Sequence, residues 1–67
     1  MIQVTVNGKT HHLDRAIDVS ALLSSLDLAG KKVAVERNGE IVPKGLHRDT
    51  LVQDGDRLEI VVAVGGG

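Results

Sequence analysis

The sequence predicts an α+β fold in which a four- or five-stranded sheet is covered on one face by one short helix. Apolar residues alternate with polar ones at a period of two near both ends of the chain, which is typical of β-strands. Only one segment has apolar residues at the spacing of a helical stripe. A length of 67 residues is enough for one small domain with a single core.

The composition excludes several classes of function. The chain contains no Phe, Trp, Tyr or Cys, so its core is aliphatic and it can form neither a disulfide nor a thiolate metal site. A formal charge of -1 offers no net attraction for nucleic acid or an anionic membrane, and no apolar run approaches the ~20 residues of a membrane span. Met1 leads directly into Ile2-Gln3-Val4 rather than into a signal segment. We therefore expect a cytoplasmic protein with no nucleic-acid or membrane partner, a monomer on its own.

The first element is predicted to be a β-hairpin. Ile2, Val4 and Val6 alternate with polar residues, and Asn7-Gly8 supplies the pair with positive φ that a tight turn requires. The returning strand, residues 9–13, is more polar, as expected of a solvated edge.

One short helix follows, with Asp18 as its predicted N-cap, because a carboxylate there accepts hydrogen bonds from the free N–H groups of the first turn. The apolar stripe consists of Val19, Leu22, Leu23 and Leu26. Gly30 is expected to end the helical pattern, and Lys31 and Lys32 to begin the next strand.

A second hairpin is predicted after the helix. Residues 33–35 form its first strand, Asn38-Gly39 its turn, and Ile41-Val42 its second strand, which Pro43 ends because proline lacks a ladder donor. Residues 44–56 are expected to be a turn-rich connection. Its isolated apolar anchors are Leu46, Leu51 and Val52.

The last strand, residues 57–64, alternates at first and then becomes continuously apolar. Alternation requires one buried face, whereas a continuous apolar run requires two, and a single helix covers only one. Apolar side chains near Val61 and Ala63 therefore lack a cover within the chain, which favours a partner site. Two alternatives stay open: residues 44–55 fold over these side chains, or they are ordinary scattered surface residues.

The side chains predict neither a catalytic site nor a metal site. His11 and His12 are adjacent on a strand and point to opposite faces, and a lone surface histidine is the common case for His47. The serines lack a neighbouring base, and no phosphate-binding glycine motif is present.

Three glycines, Gly65, Gly66 and Gly67, directly follow the most apolar strand. Residues 64–67 can reach ~13 to 14 Å beyond the sheet. Because glycine has no Cβ atom, a segment of three glycines fits a channel too narrow for other residues. This shape suits delivery of a terminal carboxylate into another protein's active site. The alternative is a frayed end or an expression scar.

Longer blocks carry a resemblance to a known family. They are the opening strand with Asn7-Gly8, the helix over residues 19–26, residues 33–43 (VAVERNGEIVP), residues 54–61 (DGDRLEIV) and the glycine end. With these blocks the chain resembles the ubiquitin-like β-grasp sulfur carriers, and specifically the ThiS family of thiamin (thiazole) biosynthesis.

The resemblance implies a β-grasp domain over residues 1–63, with its last strand central and parallel to the first, and a flexible tail over residues 64–67. It implies that Gly67 is adenylated by an ATP-using, E1-like enzyme and receives sulfur from a sulfur-donating system, and that thiazole synthase consumes the thiocarboxylate. The chain would then be a carrier rather than an enzyme, with no bound cofactor. Gly65 and Gly66 would thread into the partner, and Val61 is our hypothesis for docking.

Two alternatives to this function are the small sulfur-carrying subunit of molybdopterin synthase and a β-grasp binding module that carries nothing. The first shares both the fold and the Gly-Gly end. In the second, the glycines are inert.

Overall fold

The computed structural model describes residues 1–63. Its elements, in chain order, are β1 (Ile2–Val6), β2 (Lys9–Leu13), β3 (Ile17–Asp18), α1 (Val19–Ser25), β4 (Val33–Arg37), β5 (Glu40–Val42), a 3-10 turn (Lys44–Leu46), β6 (Leu51–Val52) and β7 (Arg57–Val62).

Five strands form the main sheet, in the order β2-β1-β7-β4-β5. The last strand, β7, is central: it runs parallel to β1, with Val6 opposite Leu58, and antiparallel to β4, with Val35 opposite Ile60. The more polar strand β2 lies at one edge. These placements confirm the predicted α+β class, the solvated edge and the central last strand parallel to the first.

Both predicted hairpin turns are present. Asn7 and Gly8 have φ of 50° and 82°, and Asn38 and Gly39 have φ of 52° and 86°. Two consecutive residues with positive φ make the turn whose twist matches the right-handed twist of the flanking strands. The Asn-Gly pairs therefore set the register of β1 with β2 and of β4 with β5.

Helix α1 begins as predicted. Asp18 is extended, and its Oδ1 accepts a hydrogen bond of 2.8 Å from the N–H of Ala21, which satisfies one of the free donors of the first turn. Among residues 1–63, no helix is both long and apolar enough to cross a lipid bilayer.

The helix ends earlier than the sequence indicated. Asp27, with φ of 62°, takes the left-handed position after the helix, and the prediction that Gly30 ends it is wrong. The N–H of Leu28 donates to the carbonyl of Leu23 at 2.8 Å, and that of Asp27 donates to Ser24 at 3.1 Å. This Schellman pattern closes the last turn and also brings two leucines together.

The core lies between α1 and one face of the sheet. It is built only from aliphatic side chains: Val4, Val6, Val19, Leu22, Leu23, Val35, Val42, Val52, Leu58 and Ile60. Residues of β1, β4, β5 and β7 that point to the helix supply the sheet's share, so one face of the sheet is buried and the other is open.

Residues 44–56 contain more regular secondary structure than the sequence indicated. Strand β6 pairs with β3, with Val52 opposite Ile17, in a separate two-stranded sheet. Of the three predicted anchors only Val52 is buried, and Leu46 and Leu51 are about half exposed. Strand β4 also begins later than predicted, at Val33, rather than at Lys31.

Candidate functional site at the open sheet face and the end of the central strand

The structure describes the base of the predicted site but not its tip. Gly65, Gly66 and Gly67 lie outside the described residues, so their predicted roles stay predictions. Val61 lies on β7, and the described chain continues to Ala63. The geometry of the site is therefore the geometry of β7 and of the strands that hold it.

Strand β7 has two unlike faces. Leu58 and Ile60 point into the core and are 0% and 5% exposed, whereas Val61 is 64% exposed on the opposite face. The segment that follows β5 packs elsewhere, since the N–H of Val19 donates to the carbonyl of Thr50 at the start of the helix. The alternative in which residues 44–55 cover Val61 is therefore wrong.

Three apolar side chains lie together on the open face, and we call them the apolar patch: Val61, Ala34 and Ile41. Ala34 is directly opposite Val61 in the β4–β7 ladder. Ile41, which is 64% exposed, is opposite Glu36 and thus diagonal to Ala34, within reach of a branched side chain. The patch crosses β7, β4 and β5 and is exposed on all three strands.

Acidic groups flank this apolar patch. Glu36 and Glu59 are direct neighbours across the β4–β7 ladder, a like-charge arrangement that destabilises a sheet. Arg57 lies on the same face, two residues before Glu59. The open face therefore presents a small apolar area beside a carboxylate pair.

The amide of Asn7 continues the sheet where β1 stops. Its Oδ1 accepts from the N–H of Ile60 at 2.7 Å, and its Nδ2 donates to the carbonyl of Ile60 at 2.9 Å. The last backbone hydrogen bond of the parallel ladder runs from the N–H of Asn7 to the carbonyl of Leu58. Beyond it, the Asn7 side chain bonds the backbone of Ile60, as a further residue of β1 would do. The sequence indicated the turn at this position but not the contact with residue 60.

A buried carboxylate anchors the start of β7. Asp56 is 7% exposed and accepts hydrogen bonds from Arg37 Nε at 2.7 Å, from Asn38 Nδ2 at 3.1 Å and from the N–H of Gln53 at 2.7 Å. Burial by itself raises the pKa of Asp56, but these three donors outweigh it and hold the pKa below its ordinary value. The carboxylate is thus ionised and joins β4 to the turn before β7.

The end of β7 remains attached to β4. Val62 is opposite Val33, and the N–H of Ala63 donates to the carbonyl of Lys32 at 2.8 Å. The strand is thus held on its β4 side up to the last described residue. The base from which residues 64–67 continue is fixed relative to the sheet.

The histidines do not converge. His11 and His12 are opposite Val4 and Gln3 and so lie on opposite faces, as predicted. The expectation of a surface position is wrong for His47, which is 8% exposed with Nε2 3.2 Å from the carbonyl of Val42. Within residues 1–63, no group of three or more His, Asp or Glu side chains could hold a metal ion.

A mixed five-stranded sheet with a central, parallel last strand and one helix on one face defines the class of ubiquitin-like β-grasp proteins. The crystal structure of the thiamine biosynthesis protein ThiS from Geobacter metallireducens matches this chain with a TM-score of 0.84 and 39% identity, covering 98% of this chain and 100% of that one. The sequence profile of the ThiS family matches residues 4–67. The chain belongs to the ThiS family, the sulfur carriers of thiamin biosynthesis.

Two curated relatives have informative names. The thiazole synthase of Paramagnetospirillum magneticum is 46% identical over 98% of this chain, which spans only 20% of that protein. The sulfur carrier protein ThiS of Bacillus subtilis is 45% identical over 73% of this chain and 74% of its own length. Both names belong to the thiamin branch.

Proposed function

We propose that this chain carries sulfur as a thiocarboxylate on the terminal carboxyl of Gly67 and delivers it to thiazole synthase. The observation that carries the proposal is the position of the glycines, which follow the central strand of a ThiS-family β-grasp domain. The similarity to a thiazole synthase over 98% of the chain supports that enzyme as the consumer of the sulfur.

The first chemical step is activation by a separate ATP-using enzyme. A terminal carboxylate has a reference pKa of about 3.3 to 3.7 and is an anion and a poor electrophile at neutral pH. Its oxygen attacks the α-phosphorus of ATP, the bond to the β-phosphate breaks, and pyrophosphate leaves. The product is an acyl adenylate with AMP as a good leaving group. Because this step consumes ATP, we place the chain in the cytoplasm.

The second step replaces oxygen by sulfur. A sulfur nucleophile, equivalent to hydrosulfide and supplied by the sulfur-donating system, attacks the acyl carbon. The carbon–oxygen bond to AMP breaks, one proton is released, and a thiocarboxylate remains. Neither step needs a cysteine or a bound cofactor in the carrier, and the donors that stabilise the developing charge come from the partner.

The folded body supplies position rather than catalysis. Strand β7 is hydrogen-bonded on both sides near its start and on its β4 side up to Ala63. A fixed base of this kind lowers the number of orientations that the partner must select before Gly65 and Gly66 enter its channel.

We propose that the apolar patch around Val61 docks on the activating enzyme. Ala34 and Ile41 enlarge the contact beyond the one residue predicted from sequence. The adjacent pair of Glu36 and Glu59 favours a partner surface with a Lys or Arg side chain at the matching position, because a cation there relieves the repulsion between them.

Intact-mass spectrometry tests this proposal. After incubation with ATP, the activating enzyme and a sulfur donor, the chain should gain ~16 Da, the replacement of one oxygen by sulfur at an activated carboxyl. A variant that lacks Gly65, Gly66 and Gly67 is the matched control, because it keeps residues 1–63 but loses the glycine thread, and its mass should not increase. An unchanged mass for the full chain, under conditions in which the same enzyme and sulfur donor convert a known sulfur carrier, would favour a binding module that carries nothing.

A further inference from the structure

A second surface feature lies on the helix side of the sheet, away from the apolar patch. It is a cleft of about 560 Å³ between the end of α1, the turn that leads into β4 and the 3-10 turn after β5. Leu23, Leu28 and Val33 supply apolar side chains to its lining. The early end of α1 helps to shape this cleft, because the Schellman turn places Leu28 next to Leu23.

The cleft is basic. Lys31, Lys32 and Lys44 line it, and all three are exposed. They are three of the four lysines in a chain whose formal charge is -1, and no Asp or Glu is among the lining residues. Positive charge is therefore concentrated here, in contrast to the carboxylate pair on the open face of the sheet.

These lysines are not used to hold the described fold together. Within residues 1–63, the ion pair that the structure contains joins Arg37 to Asp56, on another part of the surface. The three ammonium groups therefore have no acidic partner in the described part of the chain. Each of them can meet an external group of negative charge.

The cleft adjoins the end of the central strand. The backbone carbonyl of Lys32 accepts the hydrogen bond from the N–H of Ala63, and the cleft residue Val33 is opposite Val62. A protein that receives residues 65–67 in a channel must therefore come close to the lysines beside that strand. Because the cleft lies next to the end of β7, we expect the partner that binds the glycines to contact the cleft as well.

We infer that this lysine cleft binds an acidic segment of the activating enzyme, with carboxylates meeting the three lysines and an aliphatic side chain contacting the two leucines; the inference rests on the proposed function. The chemistry favours a peptide segment over a small phosphate. The three lysines share the cleft with the apolar side chains of Leu23, Leu28 and Val33, which an aliphatic side chain of a peptide can cover and a phosphate cannot.

Direct binding to the activating enzyme without ATP, measured by calorimetry at several salt concentrations, tests the inference. The variant Lys31→Glu/Lys32→Glu is compared with Lys9→Glu/Thr10→Glu, which places two acidic residues on the exposed edge strand β2. Lys44→Glu serves as a single-site variant on the other wall of the cleft. Circular dichroism and thermal unfolding establish that each variant is folded.

We expect the first variant to weaken binding about tenfold or more and to flatten its salt dependence, whereas the β2 variant changes binding less than about twofold. Equal weakening by both double variants, or no weakening by either, would overturn the inference, as would a wild-type chain that does not bind. The mass gain at saturating enzyme separates the two proposals. If binding depends on the cleft but the wild type never gains ~16 Da, the proposed sulfur-carrier function is wrong, whereas the proposed binding role of the cleft is supported.

Discussion

The first four residues of β7 and the three that follow belong to one continuous segment but are held differently. Residues 57–60 contact β1 on one side and β4 on the other, with the Asn7 amide completing the ladder at Ile60. Val61 and Val62 pair with β4, the N–H of Ala63 donates to the carbonyl of Lys32, and all three side chains are exposed. The core-facing side chains of the first half are buried, while the second half carries exposed apolar side chains, of which we propose Val61 for docking.

The change from buried to exposed apolar side chains occurs within β7. Burial on the helix face ends at Ile60, and Val61, Val62 and Ala63 are not part of the core. A change in the first half should therefore affect the free energy of unfolding, whereas a change in the second half should affect partner binding. Four substitutions, in decreasing order of expected effect, test that division.

Leu58→Ala should have the largest effect on stability. Leu58 is fully buried at the centre of β7, and removing its side-chain atoms leaves a cavity among aliphatic neighbours. We expect a loss of about 2 to 5 kcal/mol in the free energy of unfolding, measured by urea denaturation. A loss below about 1 kcal/mol would show that the start of the strand is not the stabilising half.

Asp56→Asn should lower stability by about 1.5 to 3 kcal/mol near neutral pH, since it removes the charge that Arg37 and two further donors satisfy. The folded pKa of Asp56 lies below its unfolded value. Its contribution is therefore present above the unfolded pKa and is lost as the pH falls through the folded pKa.

Urea denaturation of both proteins between about pH 7 and about pH 2 checks this sign. The difference in stability between wild type and Asp56→Asn should shrink as the pH falls. A difference that stays constant across that range would contradict the role given to the ionised carboxylate.

Asn7→Ala should destabilise the fold by about 1 to 2 kcal/mol, because both backbone groups of Ile60 lose their partner and alanine tolerates positive φ poorly. Asn7→Gly separates these causes, since glycine accepts the φ of the turn but lacks the amide. If Asn7→Gly were as stable as wild type in the same assay, the amide would contribute nothing to β7.

Val61→Ser should change the free energy of unfolding by no more than about 0.5 kcal/mol, since the side chain is mostly exposed. It should nevertheless raise the KM of the activating enzyme for the carrier. Thr5→Ser, on the same face but on β1, is a control for the loss of a methyl group. Unchanged adenylation kinetics for Val61→Ser would remove Val61 from the docking surface.

Local signals made much of the fold predictable. The two Asn-Gly turns and the Asp18 cap each depend on residues within a few positions of one another, and the structure contains all three. The exposure of Val61 was also predictable, because a strand apolar on both faces exceeds what one helix covers. The docking role of Val61 and the roles of Gly65, Gly66 and Gly67 stay predictions.

The missed features depend on contacts distant in sequence. Strands β3 and β6 have two residues each, too few for any periodicity, and pair across more than thirty positions. The bonds from Asn7 to Ile60 and from Arg37 to Asp56 join residues that no local pattern connects. The helix end was misplaced because Asp27 takes a left-handed conformation that glycine usually adopts.

The wholly aliphatic core makes this molecule nearly transparent in the near ultraviolet, since the chain has no tryptophan or tyrosine. Any indole emission from a mixture with a tryptophan-containing enzyme comes from the enzyme alone. Quenching or a wavelength shift on mixing would thus report the environment of the enzyme's own binding site. The many Val, Leu and Ile methyl groups provide the complementary signal, because isotope labels placed there would report the carrier's interior by magnetic resonance.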